Sequence, residues 1–191
     1  LYDYYLDRVD GARRYLTQEQ IAELAIYKTQ LDDEIQQGTY EFFNQTLEFI
    51  NAGVEKAEAF YPEILAEPFD FNLNENIELD SEKRPYAKND VELKEYWRKS
   101  LKYEVLARVA RRLEKEVGKG EEADPKSMED LEAEARAELK EAYGKNFKIM
   151  GKLRRSDRLS GYLNSITHLF DPHSSYLAPR VKENFDMQMS G

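Results

Sequence analysis

The sequence contains no cysteine and only two histidines in 191 residues. Without thiols there is no disulfide framework, no thiolate nucleophile and no cysteine-ligated zinc, and the compartment stays open because disulfide-free proteins occur on both sides of a bacterial inner membrane. Positive charge is also scarce, with 28 lysines and arginines against 38 aspartates and glutamates, a formal charge of −10. That balance argues against nucleic-acid or anionic-membrane binding, both of which rest on basic surface. No run of about 18 apolar residues is present, so no segment reads as a membrane span. Leu1 to Asp10 carry Asp3, Asp7, Arg8 and Asp10 among apolar positions and are not a signal peptide. The nine glycines are scattered and make no phosphate-cradling loop. A Gly-x-Ser-x-Gly elbow and a Ser-x-x-Lys pair are missing as well, which removes two common signatures of a serine nucleophile.

What is present is aromatic and helical. Thirteen tyrosines, nine phenylalanines and one tryptophan accompany a charged fraction of 35%, so the chain is a folded domain with a solvated exterior and not an acidic disordered tail. Its length suits one domain that buries a core without staples. Asp10-Gly11 is a turn pair. Thr17 with Gln20 fits a capping box ahead of Ile21, Leu24, Leu31 and Ile35, which predicts a helix closed by Gly38. Tyr40, Phe43, Leu47, Ile50, Val54, Ala57, Tyr61 and Ile64 then recur at alternating spacings of three and four, the seam of a long helix. Pro62 predicts a kink or break there, and Pro68 a stop.

From Pro68 to Asn89 the period changes to two. Phe69, Phe71 and Leu73, then Ile77 and Leu79, alternate with polar residues and predict a short β-hairpin or an extended strap over 69–79. Asn89 with Glu92 caps another helix through Leu93, Trp97, Leu101, Val105, Val109 and Leu113, with Leu106 and Tyr96 alongside, ending near Gly118. Gly118 to Lys126 reads as a solvated connection. Ser127 with Asp130 restarts a helix whose buried face is Leu131, Ala135, Leu139, Ala142, Tyr143, Phe147, Met150 and Leu153. Ser156 caps a last one through Leu159, Leu163, Ile166 and Phe170, stopped by Asp171-Pro172. The fold class is all-α: a multi-helix bundle with long helices and at most one small β element.

Chemistry is sparse. His168 and His173 are separated by a helix-breaking proline, and Asp171 with His173 falls short of the three or four ligands a metal needs. Their plain reading is a turn in which Asp171 accepts backbone hydrogen bonds. Ser174 or Ser175 with His168 is a conceivable nucleophile and base, against the plain reading of turn serines. The carboxylates Glu121-Glu122, Glu129-Asp130 and Glu132 to Glu138 sit at helical spacing among basic residues and predict a solvated face with i,i+4 pairs. The basic clusters Arg108-Arg111-Arg112 and Lys152-Arg154-Arg155-Arg158 are candidate grips for an anionic partner, opposed by the overall charge. The residues alone give no catalytic site, no cofactor site and no metal site.

Asp171-Pro172-His173-Ser174-Ser175-Tyr176-Leu177-Ala178-Pro179-Arg180, preceded by Leu169-Phe170, resembles the Asp-Pro-His-(Ser/Thr)-x-Tyr-Leu-x-Pro stretch of the C-terminal processing, or tail-specific, proteases. The resemblance extends to Leu31-Asp32-Asp33 with Gly38, to Pro68-Phe69-Asp70-Phe71, to Lys83-Arg84-Pro85-Tyr86-Ala87 and to Leu93 through Lys99. It implies an N-terminal helical domain over residues 1–185, with 186–191 leading into a PDZ domain that is not in this chain. Phe185 to Gly191 resembles the strand-leading segment at that junction. In the family the nucleophilic serine and its lysine base lie beyond the PDZ domain, so no catalytic residue carries over to any position here. The resemblance further implies a periplasmic endopeptidase acting on apolar C-termini, with this part framing the PDZ and protease core and docking protein substrates or a lipoprotein adaptor. Asp171, Pro172, His173, Ser174, Tyr176, Leu177 and Pro179 are then motif residues of structural or interdomain use. Two roles for the motif stay open. Either Pro172 and Pro179 stiffen the helix exit while Tyr176 and Leu177 anchor it on the core, or Tyr176 and Leu177 face the rest of the enzyme. A standalone helical protein–protein interaction module is the alternative from another class.

Overall fold

The computed structural model describes residues 1–117 and 126–189, and most of these are helical. Eight α-helices follow one another: α1 (Tyr2–Asp10), α2 (Gln18–Leu24), α3 (Leu31–Gln37), α4 (Glu41–Ile64), α5 (Asp90–Val117), α6 (Met128–Met150), α7 (Arg155–Phe170) and α8 (Pro179–Met189). A single 3₁₀ segment, Ala25–Thr29, joins α2 to α3. The all-α expectation holds, and no strand occurs among the described residues apart from one isolated parallel bridge between Thr17 and Ala87.

Three long helices make the frame. α4, α5 and α6 pack on one another, burying Ala57, Trp97, Leu101, Val105, Leu139 and their neighbours in one apolar cluster. α4 passes on to a second, more aromatic cluster formed with α1, α2, α3 and α7. There Tyr5 meets Tyr162 edge-on with ring centroids 4.9 Å apart, and Phe42 stacks on Tyr2 at 5.2 Å. Edge-on and offset contacts suit the quadrupoles of the rings.

The termini of the helices match their sequence signals closely. Thr17 and Gln20 form the full capping box, Asn89 Oδ1 accepts from the amides of Val91 and Glu92, and Ser127 accepts from the Asp130 amide. Gly38 ends α3 at φ 69°, the left-handed conformation that favours glycine. The predicted helix from Thr17 to Gly38 is divided, however, by the 3₁₀ turn. α4 runs through Pro62 to Ile64, because a proline this close to the C-terminus removes a single ladder bond before the helix ends anyway. α7 starts one residue ahead of Ser156, where the Asp157 carboxylate accepts the Arg154 amide at 3.0 Å. α1 lay outside the predicted helices, although Tyr2, Tyr5 and Leu6 hold an i, i+3, i+4 face that is buried.

The β-hairpin expected over 69–79 is absent, and the segment is an extended strap held by side chains. Buried Glu132 on α6 accepts the Phe69 amide at 3.0 Å and pairs with Arg136 at 2.7 Å. Arg136 in turn donates to the carbonyls of Leu65 and Ala66, each at 3.1 Å. Glu75 takes Lys102 at 2.6 Å and also Arg98; those hydrogen bonds, Arg98 first, hold its carboxyl down at about 2. Period-two alternation therefore reports a strap lying on helices, with Phe69 and Phe71 inward, and a ladder is not needed to satisfy it. Glu132 also corrects the expectation of a wholly solvated acidic face on α6. The expected connection from Gly118 to Lys126 lies outside the described residues except for Lys126, which reaches Glu134.

The N-terminal loop locks the two clusters together. Asp10 is buried and accepts the amides of Arg14, Tyr15 and Leu16 at 2.7, 3.1 and 2.9 Å. The loop so shaped lays Tyr15 against Gly53 of α4, while Trp97 of α5 donates its indole N–H to the Arg14 carbonyl at 2.9 Å. The Arg14 guanidinium lies 4.0 Å from the Trp97 ring centroid and donates to the Tyr143 hydroxyl of α6 at 2.7 Å.

A candidate interdomain site at the C-terminal segment

The sequence motif begins where α7 stops. Asp171 leaves the helical region at φ −152° and ψ 117°, as expected before a proline. Its side chain then organises the turn: Oδ1 accepts the His173 amide at 3.0 Å and Oδ2 accepts the Ser174 hydroxyl at 2.6 Å. These bonds, the Ser174 hydroxyl first and the His173 amide second, hold the Asp171 carboxyl below its usual range. This is the turn that the residues predicted. Ser174 is engaged with Asp171 and not with a histidine, and Ser175 is exposed.

Three residues further on, the chain is latched to α7 through its backbone. Asn164 Oδ1 accepts the Tyr176 amide at 2.8 Å, and Asn164 Nδ2 donates to the Ser160 carbonyl at 2.9 Å. Because the latch uses main-chain atoms, the side chains of Tyr176 and Leu177 are left 36% and 41% exposed, and neither belongs to either buried cluster. Asn164 carried no signal in the sequence, since a polar residue on a helix is indistinguishable from a solvated one until its partner is known.

Pro179 opens α8, a position that suits its fixed φ and missing N–H. The Ala178 carbonyl accepts from Val181 and Lys182 at 2.8 and 2.9 Å. Val181, Phe185 and Met189 fall four apart on α8 and are 52%, 50% and 73% exposed. On the other side of the turn, Phe170 is 87% exposed. Phe170 thus departs from the apolar line of α7, whose burial centres on Tyr162 and Ser165, flanked by Leu159, Leu163 and Ile166. The segment expected to lead into a strand is, over Phe185–Met189, the end of α8.

The other candidates resolve into structure. Arg112 pairs with Glu138 at 2.5 Å, Arg108 with Glu104 at 3.6 Å, and Arg154 with Asp157 at 3.3 Å. Arg155 sits 5.2 Å from the Phe43 ring centroid. Most of the two basic clusters is therefore spent within the chain. Among the described residues no three of His, Asp and Glu converge as a metal site would require, and no helix is long and apolar enough to cross a membrane.

The family model for the tail-specific protease N-terminal domain matches residues 1–180. The chain belongs to the tail-specific protease family. A curated relative, the tail-specific protease of Haemophilus influenzae, is 22% identical over 187 residues, covering 97% of this chain and 24% of the relative. The chain thus spans about a quarter of the length of that tail-specific protease. The family match ends within the first turn of α8, so the latched turn lies inside the matched residues.

Proposed function

We propose that this chain is the non-catalytic N-terminal frame of a serine endopeptidase that processes or degrades proteins from apolar C-termini in the periplasm. The nucleophile and its lysine base lie downstream in the parent protein, and this part packs on the PDZ and protease core and docks protein substrates or an adaptor. Residues 1–185 constitute the domain and 186–191 the junction. The observation that carries the reading is the set of exposed apolar side chains Phe170, Tyr176, Leu177, Val181, Phe185 and Met189, around a turn whose backbone amides are held by the Asp171 and Asn164 side chains. A set of this kind marks an interaction surface, and the second role of the motif, facing the rest of the enzyme, fits it better than anchorage on the helical core.

The test is the double variant Tyr176→Ala/Leu177→Ala, made in the isolated chain and in the full-length parent. The isolated chain is expected to keep its melting temperature to within about 2 °C, because exposed side chains contribute little to folding. Full-length proteolysis of an unfolded reporter is expected to fall about tenfold. Loss of folding in the isolated chain would return the pair to the role of core anchor, and unimpaired full-length activity would remove the interdomain face.

A further inference from the structure

A second surface, sharing no residue with the exposed C-terminal set, is a solvent-open groove of about 900 Å³ between the C-terminal half of α4, the start of α5 and the strap. Its apolar lining is Phe60, Ile64, Phe69, Leu73 and Val91, of which Leu73 and Val91 are 54% and 80% exposed. Its cations are already spent. Lys56 pairs with Asp90 at 2.7 Å, Lys94 with Glu63 at 2.8 Å, and Arg98 and Lys102 both engage Glu75. At the strap end the balance reverses: Glu67 and Asp70 line the groove with no cation partner among the described residues. Pro68, Phe69 and Asp70 are shared with a neighbouring cleft of about 580 Å³ that adds Glu129 and Asp130.

An apolar lining, a rim of neutralised ion pairs and one end of uncompensated carboxylate is the anatomy of a binding groove with a polarity. An anionic ligand meets no free cation there, and a purely apolar one leaves the acidic end unmatched. We propose that this groove takes a peptide segment whose apolar side chains cover the lining between Phe60 and Val91 and whose lysine or arginine lies over Glu67 and Asp70. The inference deepens the docking half of the function given above and rests on it.

The probe is a fluorescein-labelled, C-terminally amidated hexapeptide Leu-Phe-Leu-Ala-Lys-Lys, titrated against the chain by anisotropy at low salt; the amide keeps a free carboxylate out of the measurement. Saturable binding in the micromolar range is expected, weakening several-fold as salt is raised because the acidic end is exposed. Val91→Glu places a charge in the apolar lining at a position too exposed to affect folding, and is expected to weaken binding at least about tenfold. Glu67→Lys/Asp70→Lys is expected to weaken the lysine probe and strengthen its Leu-Phe-Leu-Ala-Glu-Glu counterpart. No saturable binding up to about 1 mM, binding indifferent to Val91→Glu, or equal affinity of both probes for the unaltered chain would each overturn the proposal. A dimer seen by sedimentation and dissolved by Val91→Glu would overturn it too, by making a second copy the occupant. Tyr176→Ala/Leu177→Ala leaves probe binding unchanged, so failure of the groove and failure of the interdomain face give different results.

Discussion

Two glycines in helices show how far a single side chain's cost depends on its surroundings. A methyl added at Gly53 would overlap the Tyr15 carbonyl oxygen and come within 2.9 Å of the Tyr15 carbonyl carbon and Cβ, so loop and helix would have to part. At Gly161, also helical, the same methyl meets nothing within 4 Å. Gly53→Ala should therefore destabilise by about 1–3 kcal/mol, as overpacking does, while Gly161→Ala should stabilise by about 0.5–1 kcal/mol through helix propensity. Urea denaturation of the two variants checks the opposite signs. Asp10 gives a pH signature. Burial pushes its carboxyl up to about 6, against the pull of the Arg14, Leu16 and Tyr15 amides, whereas in the unfolded chain it titrates near 3.9. Between those values the folded chain retains a proton that the unfolded chain has lost. The stabilisation is thus full below about pH 4 and fades as pH rises through 6. Subtracting the stability of Asp10→Asn at each pH isolates this group, and the difference is expected to fall by roughly 2–3 kcal/mol from pH 4 to pH 7.

At the scale of elements, what the sequence made legible was local. α5 is the clearest case: Leu93, Trp97, Leu101, Val105 and Val109 are all at most 1% exposed, as their spacing predicted, while Leu113 and the flanking Leu106 stray to 37% and 40%. α4 was placed correctly, but its fully buried strip includes Thr46 and Gly53, which no hydrophobic pattern marks. Gly53 is buried because a loop crosses it, and that loop's path is set by Asp10 and Trp97, residues far apart in sequence. For the same reason the residues over 69–79 left a hairpin and a strap both open, and the strap is what formed. Alternation of apolar residues reports one covered side, and it was Glu132, Arg136 and Glu75 that decided what covered it. The motif turn at Asp171 was readable because its bonds are confined to neighbouring residues. The latch from Asn164 to Tyr176 was not, since it spans α7 and the turn. The groove was invisible to sequence reading because it is assembled from three separate elements.

The whole molecule hangs on α4, which contributes Ala57 to one cluster and Phe42, Phe43 and Ile50 to the other. Damage to either cluster should then be felt in both. Phe42→Ala removes a fully buried ring from the aromatic cluster and is expected to cost about 3–5 kcal/mol. The single tryptophan, Trp97, lies in the other cluster and reports on it by fluorescence. Its unfolding midpoint should drop together with the helical circular dichroism signal; a Trp97 transition left at its original midpoint would mean two independently melting halves.

The contacts that close the molecule also impose an order on its birth. Tyr5 rests on Tyr162, and Arg14 reaches Tyr143, so α1 and its loop are synthesised well before the partners they close on. Helical proteins usually fold fast because their contacts are near neighbours in sequence; this one must hold α1 and its loop in waiting while the intervening helices are made. At about 5–20 residues per second, that interval is on the order of ten seconds. Through it the aromatic face of α1 is unclaimed, an opening for chaperones that the finished domain no longer offers.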